Sequence, residues 1–451
     1  MSKEQINSKE LEEFLKSDPD VAFVDAIMFD LAGKPIGKRY PVADVQSLFT
    51  NGTQFCAGAT MLDAVGECHD VCGIGFTDGD PDAVCMPVPG TLKTVPWSEI
   101  PLAQCLIEMK NETDPMGWWF DPRSILKRVL SRFEEMGLTP VIACELEFYL
   151  LDNARDQNGM ISSPVSSATG RVNDAPRVLS FEKLDEFDEL LYDVDLVSQL
   201  QGMRAGAASS EYGRGQYEVN LAHTDDAVLA CDHALLLKRA VKGIARKHGY
   251  DATFMASPFV GQSGNGLHIH LSLIDKNGEN IFTNKSSEFE HAIAGLQQTM
   301  YDALAIFAPN INAYRRFAPD NFVPVNNSWD HNNRYVAFRV PLSKESGRRI
   351  EHRVAGADAN PYLVVAAVLA GIHHGLTKKL KVTEQQHGNA GAEIDPQMPT
   401  KLWTALDRMR SSEFLKEYLG KEYPAAYADI KSAEFESYLS EITSREYDWY
   451  L

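Results

Sequence analysis

From Leu267 to Leu273 apolar and polar side chains alternate without a break, with Leu267, Ile269, Leu271 and Leu273 on one parity and His268, His270 and Ser272 on the other. In an extended chain the two sets face opposite sides, so the pattern predicts a strand with an oily back and a front carrying two imidazoles and a hydroxyl. The same parity recurs elsewhere. "VIACELEFYL" puts Glu145 and Glu147 on one face of an otherwise apolar strand, and "RRIEHRV" does so with Arg349, Glu351 and Arg353. "SSEYGRGQYEVNL" adds Glu211 in a glycine-rich loop and Glu218 on the strand after it. Any one of these segments reads as a solvated strand face; four together predict a shared polar surface.

Between these strands the period changes to that of a helix. Asp121-Pro122 supplies an N-cap and a first-turn proline, followed by an apolar stripe at Ile125, Leu126, Val129, Leu130 and Phe133. "TDDAVLACDHALLLKRAVKGIARKHG" reads as a capped amphipathic helix ending at Gly249, and Asn360-Pro361 opens a buried one. The first hundred residues read as short strands and turns, including a hairpin turning near Ala32-Gly33, and "PLAQCLIEMKNETDPMGWWFDPRS" reads as a crossing segment. The last fifty residues read as helical, with Trp403, Leu406, Met409, Phe414 and Leu415 in the core. The predicted architecture is α+β. A small domain spans residues 1–112, and a large one, residues 113–451, is built on a curved antiparallel sheet flanked by helices.

Composition narrows the chemistry. Of 451 residues 44% are hydrophobic, ample for large cores, and 63 acidic against 43 basic residues give a net charge of −20. That balance argues against nucleic acid or an anionic membrane as partner. The start of the chain lacks a signal-peptide core and no apolar run reaches about 18 residues, so a cytoplasmic location is expected. Seven sparse cysteines fit reduced thiols. "CHDVC", with Cys68, His69 and Cys72 near Cys85, misses the usual zinc spacing and has no second matching pair.

Charge counting points to metals at the polar surface. Withdrawing an unpaired carboxylate from water costs on the order of several kcal/mol, and crowding like charges costs more. Glu145, Glu147, Glu211, Glu218 and Glu351 on one cavity wall would protonate or splay apart without cations. Two divalent ions with Arg349 and Arg353 restore the balance, and oxygen-rich donors suit Mg2+ or Mn2+ better than Zn2+. Divalent ions beside arginines suit a nucleoside triphosphate, yet the chain carries neither GxxxxGK[ST] nor a GxGxxG that opens a helix. A phosphate site must then be built from metals and side chains, Arg334 and Arg339 of "NNRYVAFRVP" among them.

In order along the chain, "ELEF", "GQYEVN", "GNGLHIHLSL", "NAYRRFAP", "HNNRYVAFRVP" and "RRIEHRVAGADANPYL" resemble the active-site motifs of the glutamine synthetase family, and "FVDAIMFDLAGKPIGKR" resembles its N-terminal β-grasp domain. The resemblance implies that Glu147, Glu211 and Glu218 hold one metal and that Glu145, His268 and Glu351 hold another, of two or three Mg2+ or Mn2+ in all. It implies that His270, Ser272, Arg339 and Arg349 contact ATP and that Gly264, Arg316 and Arg353 hold glutamate. Catalytic roles fall to Arg334, at the transferring phosphoryl group, with Glu211 and Arg316. It also implies a reaction through γ-glutamyl phosphate, and a homo-oligomer, a double-ring dodecamer with active sites between subunits.

The departures concern the nitrogen nucleophile. Ammonia-using members carry a glutamate after their "YKRLxPGY" motif and an aspartate in an N-terminal loop that reaches into the neighbouring subunit's site; the aligned residues here are Phe322 and Cys56. A ring and a thiol suit an amine that bears carbon. "CELEFYLLD", "NLAHTDDAVLACDHALLLKRA" and "EHRVAGADANPYLV" resemble the branch that makes γ-glutamylputrescine. The expected substrates are glutamate, ATP and an organic amine, putrescine or another polyamine being favoured. The alternatives are ammonia, a monoamine such as methylamine, ethanolamine or isopropylamine, and a non-catalytic scaffold. For the far ammonium of a diamine the acidic candidates are Asp63 and Glu67, and the family's adenylylated tyrosine loop has no counterpart in "QQHGNAGAEIDPQMP".

Overall fold

A computed structural model describes residues 3–172, 177–283 and 286–451. Two sheets organise it. The first contains β1 (Phe23–Phe29), β2 (Pro35–Pro41), β3 (Thr53–Cys56), β4 (Asp82–Pro87), β5 (Lys93–Thr94) and β6 (Leu102–Met109), in the order β2-β1-β6-β4-β3 with β5 on β6. β1 and β2 form the expected hairpin, the turn closing where Asp30 Oδ1 accepts from the Ala32 and Lys34 N–H groups at 2.9 and 2.8 Å. The segment read as a crossing is instead a core strand. β6 runs parallel to β1 with nearly every side chain buried, because "LAQCLIEM" sits between neighbours on both edges.

The second sheet carries β7 (Thr139–Asp152), β8 (Ala205–Ser210), β9 (Gln216–Leu221), β10 (Tyr250–Thr253), β11 (Leu267–Ile274), β12 (Trp329–His331), β13 (Phe338–Val340) and β14 (Ile350–His352). Its order is β12-β13-β14-β11-β7-β9-β8, with β10 pairing the far end of β7, and all pairs are antiparallel except β12 with β13. β7 alternates strictly over its first ten residues: Ile142, Cys144, Leu146 and Phe148 are buried, and the residues between them are more open. The apolar parity packs on helices. The Asp121 carboxylate caps Pro122–Met136 by accepting from Ser124 N–H at 2.8 Å, Asp226 caps Ala227–Lys247, and Asn360 caps Pro361–Lys378. Leu406, Met409 and Leu415 join the core as expected, but Trp403 is 42% exposed, stacked on Phe435 at the surface.

Charged groups join the first sheet to these helices. Arg239 on Ala227–Lys247 reaches Asp25 of β1 at 2.9 Å and Gln104 of β6 at 2.8 Å. Arg123 pairs with Glu108 of β6 and, at 3.0 Å, with Asp232, while Asn360 donates to the Asp30 carbonyl at 3.0 Å. No helix among the described residues is long and apolar enough to cross a membrane.

Candidate active site

Strand register brings the polar parity together. His268 lies directly across from Glu145, Glu147 from Glu218, and Glu351 from both His270 and Arg339. Facing residues on one side of an antiparallel pair stand about 5 Å apart at Cβ, so four distant segments meet as neighbours. Glu145 is the hinge of the cluster. Its Oε1 is 2.6 Å from His268 Nδ1 and its Oε2 is 3.1 Å from His270 Nε2. Arg349 Nε lies 3.2 Å from His270 Nδ1, on the side of the ring away from Glu145. Burial alone would raise the Glu145 carboxyl; the two imidazoles hold it well below the usual range.

Glu351 is clamped on both oxygens. Arg339 donates at 2.6 Å and Arg353 closes the other side. Although burial works against the charge, these arginines and the two histidines pull its pKa down to about 2. The other carboxylates behave in the opposite way. Burial, then repulsion from Glu147, pushes Glu211 up to about 7; burial, then Glu145 and Glu147, pushes Glu218 up to about 9. Buried carboxyls raised further by like neighbours are what a divalent cation would relieve.

The donor set fits such an ion. Ligand atoms of Glu145, Glu218 and His268 lie within 4.8 Å of one another, as do those of Glu145, His270 and Glu351. These triads regroup the ligand sets expected from the sequence. Glu145 belongs to both, while Glu147 turns to accept the Gly266 N–H at 2.6 Å and Glu211 is 3.5 Å from the Ser209 hydroxyl. Gly266 permits this crowding, since a Cβ there would stand 2.7 Å from His268 Nε2.

Two openings meet at the cluster, with Glu145 and Arg339 on the lining of both. One cavity, of about 480 Å³, is lined by Glu145, Glu147, Glu211, Glu218, His268, Glu351, Gly264, Arg316, Arg334, Arg339, Arg353 and Phe322. A second cleft, of about 1170 Å³, is lined by His270, Ser272 and Arg349, and again by Glu145 and Arg339. The residues expected to hold glutamate line the first opening, and His270, Ser272 and Arg349, expected to hold ATP, line the second, with Arg339 on both. Gly264 lets the backbone approach Arg316, because a Cβ there would lie 2.6 Å from Arg316 Cγ. Arg316 and Arg353 are both buried, and their Nε atoms lack a partner among the described residues.

Cys56, at the end of the outer strand β3, does not line the cavity of its own chain, as a residue expected to serve a neighbouring subunit's site need not. Asp63 does not reach it either. It is 4% exposed and held by His69 at 2.8 Å and by the Val65 and Glu67 N–H groups; Glu67 is likewise outside the lining. The sequence reading also missed residues that are there. Tyr212 and Tyr335 stack against Phe322 with centroids 5.3 and 5.0 Å away, and Val178, Leu179 and Asp320 join the lining. Only Tyr212, beside Glu211, had a local signal.

A sheet that aligns acidic and imidazole side chains between two openings, with arginines at both, has the construction of an enzyme that joins two substrates at nucleotide expense. Residues 120–450 match the family model described as the glutamine synthetase catalytic domain, and the chain belongs to the glutamine synthetase family; it is an ATP-dependent carbon–nitrogen ligase. It is 38% identical to γ-glutamylputrescine synthetase PuuA of Escherichia coli (strain K12), over 98% of this chain and 94% of that protein. It is 33% identical to glutamate–isopropylamine ligase of a Pseudomonas species, over 93% and 92%. The solved structure of ligand-free GmaS superposes with a TM-score of 0.81 at 26% identity, covering 96% of this chain and 97% of that one.

Proposed function

We propose that this enzyme joins the γ-carboxylate of L-glutamate to an organic amine, putrescine or another polyamine being favoured, with ATP as phosphoryl donor. Arg316 and Arg353, buried with donors to spare, suit the carboxylates of glutamate, and Gly264 suits close approach of its backbone. His270, Ser272, Arg339 and Arg349 suit the nucleotide in the second cleft. The γ-carboxylate oxygen attacks the terminal phosphorus of ATP, the bond to ADP breaks, and γ-glutamyl phosphate forms. Arg334 at the cavity wall stabilises the charge spread over the transferring group. A neutral amine then attacks the acyl carbon, phosphate leaves, and the amine loses one proton. Glu211 lines the cavity in which that proton is lost and is the carboxylate assigned to the catalytic step with Arg334 and Arg316. Glu145, Glu147, Glu211, Glu218, His268 and Glu351 would hold two or three Mg2+ or Mn2+ ions, which when bound supply the positive charge that phosphoryl transfer needs.

The choice of an organic amine rests on one observation: the cavity lining includes the exposed apolar side chains Val178, Leu179, Tyr212 and Phe322. Rings reward carbon, at about 25 cal/mol per Å² buried, and offer a bare ammonium ion little beyond the ring face. The functional unit on this reading is a homo-oligomer, a double-ring dodecamer by family resemblance. Phosphate release with glutamate, ATP and Mg2+ is measured against ammonia, methylamine, ethanolamine, isopropylamine and putrescine. Putrescine is expected to give the highest kcat/KM. Ammonia giving the highest would overturn the reading, and no phosphate release with any of these amines, nucleotide still binding, would leave only a scaffold.

A further inference from the structure

One acidic side chain on the cavity lining takes no part in the carboxylate cluster. Asp320 stands two residues before Phe322, exposed at the rim, with its backbone in the left-handed region at φ 61°. That conformation is unfavourable for a side-chain-bearing residue, and aspartate tolerates it better than most. Here it is fixed from two directions: the Asp320 N–H donates to the Gly391 carbonyl at 3.0 Å, and Oδ1 accepts from Asn389 Nδ2 at 2.7 Å. Asn389 is itself braced, accepting the Gly391 N–H at 3.1 Å. The carboxylate is a placed charge rather than a swinging one. Two residues on, Phe322 stands in an aromatic column with Tyr212, which also lines the cavity, and with Tyr335 behind it in the contact series.

We infer that Asp320 is the subsite for the distal ammonium of an α,ω-diamine whose methylenes lie along the aromatic column; this rests on the organic-amine reading above. Only one nitrogen of a diamine must be neutral to attack. The other keeps its proton near pH 7, since aliphatic amines titrate around pH 10. The cavity carries arginines beside its carboxylates, and once Glu145, Glu147, Glu211, Glu218 and Glu351 are committed to divalent cations, Asp320 is the acidic group left on the lining among the described residues. Asp320 offers that anion in contact with water, so the ammonium keeps part of its hydration while the chain gains from the rings. A monoamine of equal length gains the ring contact and not the charge.

The test compares kcat/KM for 1,4-diaminobutane and butylamine, with glutamate, ATP and Mg2+, in the wild-type enzyme, Asp320→Asn and Asp320→Lys. Asparagine keeps the acceptor that holds Asn389 and removes only the charge. The diamine-to-monoamine ratio should fall about fivefold in Asp320→Asn, the size of one partly exposed ion pair, and further in Asp320→Lys, mainly through KM. A ratio equal to wild type in both variants overturns the assignment. Ammonia outperforming both amines in the wild-type enzyme overturns the organic-amine reading instead, and the ratio still reports on Asp320.

Discussion

Glu351 and Glu218 line the same cavity, yet their surroundings set their pKa values near 2 and near 9. The difference is in what faces them: Glu351 has Arg339 and Arg353 on its two oxygens, whereas Glu218 is buried beside Glu145 and Glu147 with Asn220 donating at 2.9 Å. Removing one partner of a buried ionic cluster strands the rest, so Glu351→Gln should lower the unfolding free energy of the metal-free protein by about 3–5 kcal/mol. Glu218 is already protonated at pH 7 without metal, so Glu218→Gln should change that stability by less than about 1 kcal/mol while abolishing turnover. Urea titration checks both; equal losses in the two variants would show that the carboxyls do not differ in this way. Both glutamates were visible in the sequence as polar residues on strands. What was not visible is which neighbour each meets, because register is a property of pairs.

Elements show the same division. Alternation and caps marked β7, β11 and the three long helices, since those signals are local. Strand β6 was missed because it is buried on both faces, Gln104 included, so its sequence carries no regular alternation. The β1–β2 turn was legible, and it carries a pH-dependent term. Burial of Asp30, only partly offset by the Lys34 and Ala32 N–H groups, raises its pKa from 3.8 to about 6. The folded state therefore binds this proton more tightly than the unfolded chain does. The corresponding stability is complete below pH 3.8 and is lost as pH rises through about 6. Asp30→Asn keeps the acceptor for both N–H groups and removes that loss, so at pH 7.5 it should stabilise by up to about 3 kcal/mol. The gain should vanish near pH 3.5. Thermal unfolding of the two proteins at both pH values measures it, and a gain independent of pH would locate the effect elsewhere.

At the scale of the whole molecule, the edge position of β3 has a consequence for assembly. Cys56 sits on that outer strand, away from the cavity of its own chain, and an exposed strand edge invites a partner. If Cys56 contributes to an amine pocket, it does so across a subunit boundary, as the double-ring proposal requires. Specific activity should then fall in step with the dissociated fraction when the enzyme is diluted and followed by sedimentation velocity. Dissociated subunits with full activity would remove Cys56 from the site. The sequence alone determined the α+β class, the caps, and the parity that sets carboxylates and imidazoles on one face, because each depends on residues a few positions apart. Only the folded chain decided that Glu147 faces Glu218, that Glu145 and Arg339 are shared by two openings, that Asp63 is occupied by His69, and that Asp320 stands at the rim. Those facts depend on side chains far apart in sequence meeting in space, and no local pattern encodes the distance between them.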